Sequence, residues 1–174
     1  MAEKRNNPIN EREKGEIVIT RVINAPRELV FKAWTTPEHL LRWWAPKGCT
    51  TPYCTVDLRP GGAFRFCMRL PDGKDIWARG IFREIIEPER IVYVDSFTDE
   101  KGNPVPASYY GLTSATLAES LVTVTFDEYQ GKTKLTLRHS EMIETGTERE
   151  MTNQGWNDMF DRLAELVAKK GMNI

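Results

Sequence analysis

The sequence predicts an α+β domain in which a strongly curved antiparallel sheet of about six or seven strands surrounds a long C-terminal helix. Three features of the sequence predict this class: a period of two in the middle of the chain, two short helical segments after the first strand, and a final amphipathic helix. A long sheet with one apolar face must be covered, and only the last helix is long enough to cover it.

The N-terminal part contains one strand and two helices. The strand begins at Glu16 and closes at the Asn24-Ala25-Pro26 turn. Pro26 is expected at the first position of a short helix, since its fixed φ angle suits that position. Thr36 is the expected N-cap residue of a second helix, which carries the Trp43-Trp44 pair.

Strands dominate the middle of the chain, and a helix ends it. Phe64, Phe66 and Met68 alternate with polar or small residues, which indicates a strand with one apolar face. Further strands are predicted over residues 75–86, 91–97, 122–126 and 133–139. The last helix is predicted from a stripe at helical spacing: Trp156, Met159, Phe160, Leu163 and Val167.

Composition restricts the class of protein. The 24 Lys and Arg residues nearly balance 25 Asp and Glu residues, so the formal net charge is −1. Binding to nucleic acid or to an anionic membrane surface relies on a basic field, so we expect neither as a partner. No apolar run approaches the length of a membrane span, no segment resembles a signal peptide, and the three cysteines fit no paired framework. These features predict a cytoplasmic protein, either a monomer or a homodimer.

The polar, aperiodic residues 1–15 predict a disordered N-terminal tail, and residues 16–172 a single domain. The connection over residues 98–120 is unusually long and is predicted to lack regular structure. It either closes over a binding site as a lid, with Tyr109 or Tyr110 at its tip, or is a plain hairpin loop.

Several sequence blocks resemble one protein family. They are NAPRELVFKAW from Asn24, TPEHLLRWWAP from Thr36, DLRPGG from Asp57 and PERIVY from Pro88. Together they resemble the AHSA-type family, whose members are similar to the C-terminal domain of the activator of the 90-kDa heat-shock-protein ATPase. The resemblance covers roughly residues 16–170. It implies the helix-grip fold of the START-like (SRPBCC) superfamily and an internal apolar cavity.

The resemblance also implies a range of functions: binding of lipids or polyketides, cyclase or hydrolase chemistry in some members, and regulation of a chaperone. We therefore predict a protein that binds a small apolar or aromatic molecule, or a lipid, between sheet and helix. The candidate ligand-binding residues are Trp43, Trp44, Phe64, Phe66, Met68, Trp77, Tyr93, Tyr109, Tyr110, His139, Trp156 and Phe160. For most of the aromatic residues, plain core packing is the competing interpretation.

Two other functions stay open from the sequence. In a cyclase-type or hydrolase-type enzyme, His139 would work with Tyr93, Asp95 or Glu141 as acid and base. In a chaperone-contact module, the surface would carry the function. No nucleophile motif, phosphate loop or zinc spacing occurs, so neither cofactor nor metal is predicted. Which face of the strands in residues 75–97 lines the cavity is not determined by the periodicity.

Overall fold

Seven antiparallel strands form one sheet in the structure, a computed structural model that describes residues 16–112, 119–140 and 146–168. The strands are β1 (Glu16–Ile23), β2 (Thr50–Val56), β3 (Ala63–Arg69), β4 (Asp75–Ile86), β5 (Arg90–Thr98), β6 (Ser120–Tyr129) and β7 (Lys132–Ser140). The α-helices are α1 (Arg27–Thr35), α2 (Pro37–Trp43) and α3 (Gly146–Ala168), and a 3₁₀ helix spans Ala107–Tyr110.

The strand order in the sheet is β1-β7-β6-β5-β4-β3-β2, so β2 to β7 form a meander and β1 pairs with β7. Helices α1 and α2 occupy the connection between the two edge strands. Register shifts interrupt the β2–β3 ladder between Thr50 and Tyr53, and the β4–β5 ladder between Phe82 and Glu84. Such irregularities bend a sheet, which allows it to curve around the last helix.

One face of the sheet, here called the inner face, packs against the helices. Trp156, Met159, Phe160 and Leu163 of α3 are buried, and they contribute to one core with the inward residues of the strands. The α+β helix-grip fold predicted from the sequence is therefore confirmed. The opposite face of the sheet, here called the outer face, carries exposed side chains such as Val18 and Leu121.

Three details of the N-terminal half and the long connection differ from the predictions. Pro26 is the N-cap of α1 with extended backbone, and the helix begins one residue later. Strand β2 is not predicted by alternation, because it is an edge strand that contains Pro52 and mostly exposed residues. The connection after β5 has local structure: Thr98 pairs with Pro104, and the 3₁₀ helix follows. Residues 1–15, 113–118, 141–145 and 169–174 lie outside the described part of the chain.

A glycine within α3 gives a first prediction. Glycine in a helix interior costs about 0.5–1 kcal/mol relative to alanine. A Cβ atom at Gly155 would lie 3.6 Å from Cγ of Pro46, which is an ordinary contact. We expect Gly155→Ala to raise the free energy of unfolding by roughly 0.5–1 kcal/mol, measured by urea denaturation. A loss of stability would show that the space beside Pro46 is tighter than this distance indicates.

Candidate functional site

Four tryptophans form the centre of the space between the sheet and the helices. The ring centroid of Trp34 in α1 lies 5.0 Å from Trp43, 5.2 Å from Trp44 and 6.1 Å from Trp156. Trp44 also lies 5.5 Å from Trp156 in an edge-to-face arrangement. Edge-to-face and offset contacts of this kind are the favoured geometries for aromatic pairs. The cluster therefore joins α1, α2 and α3 into one aromatic layer.

The end of α2 explains how both members of the Trp43-Trp44 pair reach this layer. Consecutive residues of a helix point about 100° apart, so the sequence predicts that only one of them packs inward. The helix ends at Trp43, and Trp44 has a non-helical backbone with φ −84° and ψ 58°. Both side chains are buried, and the indole N–H of Trp43 donates to the carbonyl of Ala33 at 2.9 Å. The prediction that only one of the two packs inward is therefore wrong.

Phe64 and Phe66 on β3 face inward and extend the aromatic layer across the sheet. Trp44 lies 5.6 Å from each of the two rings. The Phe64 ring lies directly over Gly80 of β4, where an added Cβ would come within 2.2 Å of Cε1 of Phe64. The Tyr93 ring packs edge-to-face against the Phe64 ring, with the two centroids 4.9 Å apart. The missing side chain at Gly80 thus decides where the phenyl ring lies.

His139 lies at the end of β7 and faces inward, as its position in the strand predicts. Its side chain is 7% exposed, and its Nδ1 accepts a hydrogen bond of 2.9 Å from the indole N–H of Trp156. Burial lowers the pKa of His139 from 6.5 to about 4, so the ring is neutral near neutral pH. Since Nδ1 is the acceptor, the proton of the neutral ring is on Nε2. His139 is therefore a hydrogen-bond donor at Nε2.

Tyr93, Asp95 and Glu141 are the other candidate acid and base groups. Tyr93 is fully buried, and burial together with the charge of Asp95 raises its pKa well above the usual value. Asp95 lies two residues further along β5 on the same face, directly opposite Gly80. Glu141 lies outside the described residues. A histidine with a pKa of about 4 is a weak base near neutral pH, so this geometry favours hydrogen bonding over proton transfer.

One end of the inner face is less completely covered than the rest. There the inward side chains are only half-buried, and we call this set the open end: Cys54, Met68, Ile76 and Phe97. Burial raises the pKa of the Cys54 thiol to about 12, so the group is neutral and contributes an apolar surface. The open end adjoins the aromatic layer, because Cys54 pairs with Phe66 in the β2–β3 ladder.

The two tyrosines of the long connection have different positions. The hydroxyl of Tyr110 accepts from the backbone N–H of Trp77 at 3.1 Å and donates to the carbonyl of Thr98. Its ring lies 6.0 Å from Phe97, so Tyr110 borders the open end. Tyr109 is 59% exposed and touches Tyr110. The hydrogen bonds attach Tyr110 to the sheet, and Tyr109 alone extends into solvent.

Trp77 is the candidate residue that the structure places away from the others. Ala78, Gly80 and Phe82 face inward in β4, so Trp77 and Arg79 between them face outward. The Trp77 ring lies 5.3 Å from Tyr53 and beneath the guanidinium of Arg65. Its grouping with the residues between sheet and helix is therefore corrected: period-two alternation places it on the other side of the sheet.

Several residues of this region are absent from the sequence-based set. Trp34 is central to the aromatic layer, and its buried Nε1–H has no acceptor among the described residues. The sequence placed Trp34 on an element that encloses the space between the sheet and the last helix, but it did not mark Trp34 as a ligand-binding candidate. Gly80 could have been found from the sequence, because an isolated glycine within a strand often marks the close approach of another group. The small residues Ala78 and Gly80 determine the shape of the inner face without any chemical signature.

The comparison with protein families agrees with this architecture. The family model for "Activator of Hsp90 ATPase homolog 1-like protein" matches residues 24–168, which include both short helices and all of α3. The chain belongs to this family. The AHSA1-like fold and its START-like relationship, predicted from the sequence blocks, are thus confirmed, and membership supports a role as a ligand-binding or interaction module in general. No curated protein matches the chain.

Solved structures share the AHSA1-like fold. A protein from Chromobacterium violaceum is 25% identical, with 90% of this chain and 99% of that chain covered and a TM-score of 0.73. A protein from Arthrobacter aurescens is 23% identical, with 91% and 89% covered and a TM-score of 0.74. The AHSA1 protein of Silicibacter pomeroyi is 21% identical, with 88% and 97% covered and a TM-score of 0.70. In the described part of the chain, no helix is both long and apolar enough to cross a membrane.

Proposed function

We propose that this protein binds a small apolar or aromatic molecule at the open end of the inner face, against the aromatic layer. The observation that carries the proposal is the incomplete cover of Cys54, Met68, Ile76 and Phe97, beside residues that are almost completely buried. A soluble domain gains stability from covering such side chains. Ligand sites of this kind are mostly apolar, with a few polar groups that fix orientation.

The neighbouring groups define what the ligand would contact. Met68, Ile76 and Phe97 supply the accessible apolar surface, with the buried rings of Trp44 and Phe66 packed behind them. Desolvating an apolar molecule against this surface would provide most of the affinity. His139 and Asp95 are polar groups on the same face of the sheet. They interrupt the apolar surface at this border, so we expect a ligand that is mostly apolar, with any polar substituent at its edge.

The proposal is tested first by native mass spectrometry of the protein purified from its own cell extract, with identification of any compound that co-purifies. The purified protein is then titrated with a library of lipids and aromatic compounds. A co-purifying apolar compound, or a library member that binds in the micromolar range, is the expected result. A protein that carries nothing and binds no member of the library would contradict the proposal.

A pair of variants locates the site. Met68→Trp fills the open end, and we expect it to weaken binding of the identified compound about tenfold or more, as filling a site excludes its ligand. Val92→Trp is the matched control, because it adds the same ring to the outer face of β5. Binding by the control within about twofold of the wild type is expected. Equal binding by Met68→Trp would place the ligand elsewhere.

A further inference from the structure

Two arginines face each other on the outer face of the sheet. Arg65 on β3 is directly opposite Arg79 on β4, and both are half-buried. Like charges in directly opposed positions on neighbouring strands are destabilising. Among the described residues, neither guanidinium forms an ion pair, and the Nε atoms of both are buried without an acceptor. The pair is thus a site of uncompensated positive charge.

An aromatic pair adjoins the arginines. The Cζ atom of Arg65 lies 5.2 Å from the Trp77 ring centroid, a cation–π contact, and the Tyr53 ring lies 5.3 Å from the same tryptophan ring. The Arg65 Nη2 donates to the backbone carbonyl of Glu100 at 3.1 Å. These contacts hold the Arg65 fork in place, which lowers the entropy lost when a carboxylate binds to it.

Two acidic residues near this part of the sheet, Asp75 and Asp99, already have other partners. Asp75 accepts two hydrogen bonds from Arg69, at 2.8 and 3.1 Å. Asp99 accepts from the backbone of Lys101 and from Asn103. These carboxylates are therefore occupied by other partners, and the charge of the arginine pair is left for a group from outside the described residues.

An apolar row borders the arginine pair on its other side. Ile81 pairs with Val94, which pairs with Leu121, and Leu121 is 46% exposed. These side chains lie two residues along the strands from Arg79, a separation of about 7 Å. The outer face therefore presents an aromatic row, a cationic row and an apolar row side by side.

We propose that Arg65, Arg79 and Trp77 form a docking surface for an extended acidic segment of a partner protein. Charge complementarity selects this partner: its carboxylates would accept hydrogen bonds from the Nη groups of both arginines, and its apolar side chains would cover Ile81, Val94 and Leu121. The surface is on the opposite side of the sheet from the proposed ligand site, so the two proposals are independent.

The test uses a synthetic eight-residue peptide in which pairs of glutamates alternate with pairs of leucines. The peptide is titrated into isotope-labelled protein, and binding is followed by NMR. We expect shifts of the Trp77 indole N–H signal, assigned with Trp77→Phe, and a Kd below about 1 mM. Arg65→Gln and Arg79→Gln should each weaken binding about tenfold. Arg79→Gln should not lower the unfolding temperature, because it removes a repulsion between like charges and leaves the contact between Arg65 and Trp77 in place.

Arg138→Gln is the matched control, since Arg138 is also on the outer face but is already paired with Glu16. It changes the net charge equally, and its Kd should stay within about twofold of the wild type. Absence of Trp77 shifts, or equal weakening by Arg138→Gln, would overturn the proposal. Phosphatidylserine vesicles and a single-stranded oligonucleotide are tested in parallel. Binding of either through the two arginines, with none of the peptide, would also overturn it.

Discussion

Gly80→Ala is expected to lower the free energy of unfolding by about 3 kcal/mol, although it adds only a methyl group. The added Cβ would lie 2.2 Å from Cε1 of Phe64 and 2.8 Å from Cδ2 of Tyr93, well inside contact distance. Both rings are buried, so neither can move away without disturbing the aromatic layer. Urea denaturation of the variant and the wild type, monitored by circular dichroism, measures the difference.

Two further variants separate this steric explanation from a general intolerance of alanine. Gly155→Ala makes the same chemical change in α3 and should stabilise the protein. Phe64→Leu shortens the group that Gly80→Ala meets, so the double variant should be more stable than the sum of the single effects predicts, by at least about 1 kcal/mol. Additive effects would mean that the Phe64 ring does not determine the requirement for glycine.

Acidification should reduce the stability of the protein through His139 by roughly 3 kcal/mol in total. In the folded protein burial lowers the pKa of His139 to about 4, whereas its ordinary value is 6.5. Above pH 6.5 the ring is neutral in both states and contributes no pH dependence. As the pH falls below 6.5 the unfolded chain binds a proton that the folded protein does not, so stability declines until about pH 4. Free energies of unfolding measured at several pH values across this window test the prediction.

His139→Gln is the control for this pH dependence, because the glutamine oxygen can accept the indole N–H of Trp156 and does not titrate. The carboxylates titrate in both proteins, so the difference between the two curves isolates the histidine. We expect the variant to lose less stability than the wild type between pH 6.5 and 4. Parallel curves would show that His139 is protonated as readily in the folded protein as in the unfolded chain.

The sequence predicted the face of a side chain correctly in those strands where apolar residues alternate with polar ones. In β3 alternation correctly grouped Phe64 and Phe66 on one face, and in β7 it correctly predicted that His139 faces inward. It failed for β2, an edge strand whose mostly exposed residues leave no alternating pattern. In β4 both parities contain apolar or aromatic side chains, so the pattern could not show that Trp77 faces outward.

The residues of the candidate site were also predicted only where spacing along one element decides their position. The sequence predicted that Trp156 and Phe160 lie on one face of the last helix, because their spacing alone places them there. It could not predict that Trp44 also faces inward, because this direction depends on α2 ending at Trp43, so that the backbone of Trp44 is not helical. Nor could it predict the hydrogen bond from Trp156 to His139, which joins residues on different elements.

Apart from the family resemblance of its sequence blocks, the sequence by itself determined the order and type of most elements and the apolar faces of β3, β7 and the last helix. These properties depend on local periodicity and on turn residues, which are read along the chain. Only the tertiary structure decided that Phe64 lies over Gly80, that His139 is held as a neutral donor, and that Arg65 faces Arg79. Those features arise from strand register and helix packing, which bring together residues far apart in the chain and which no local pattern specifies.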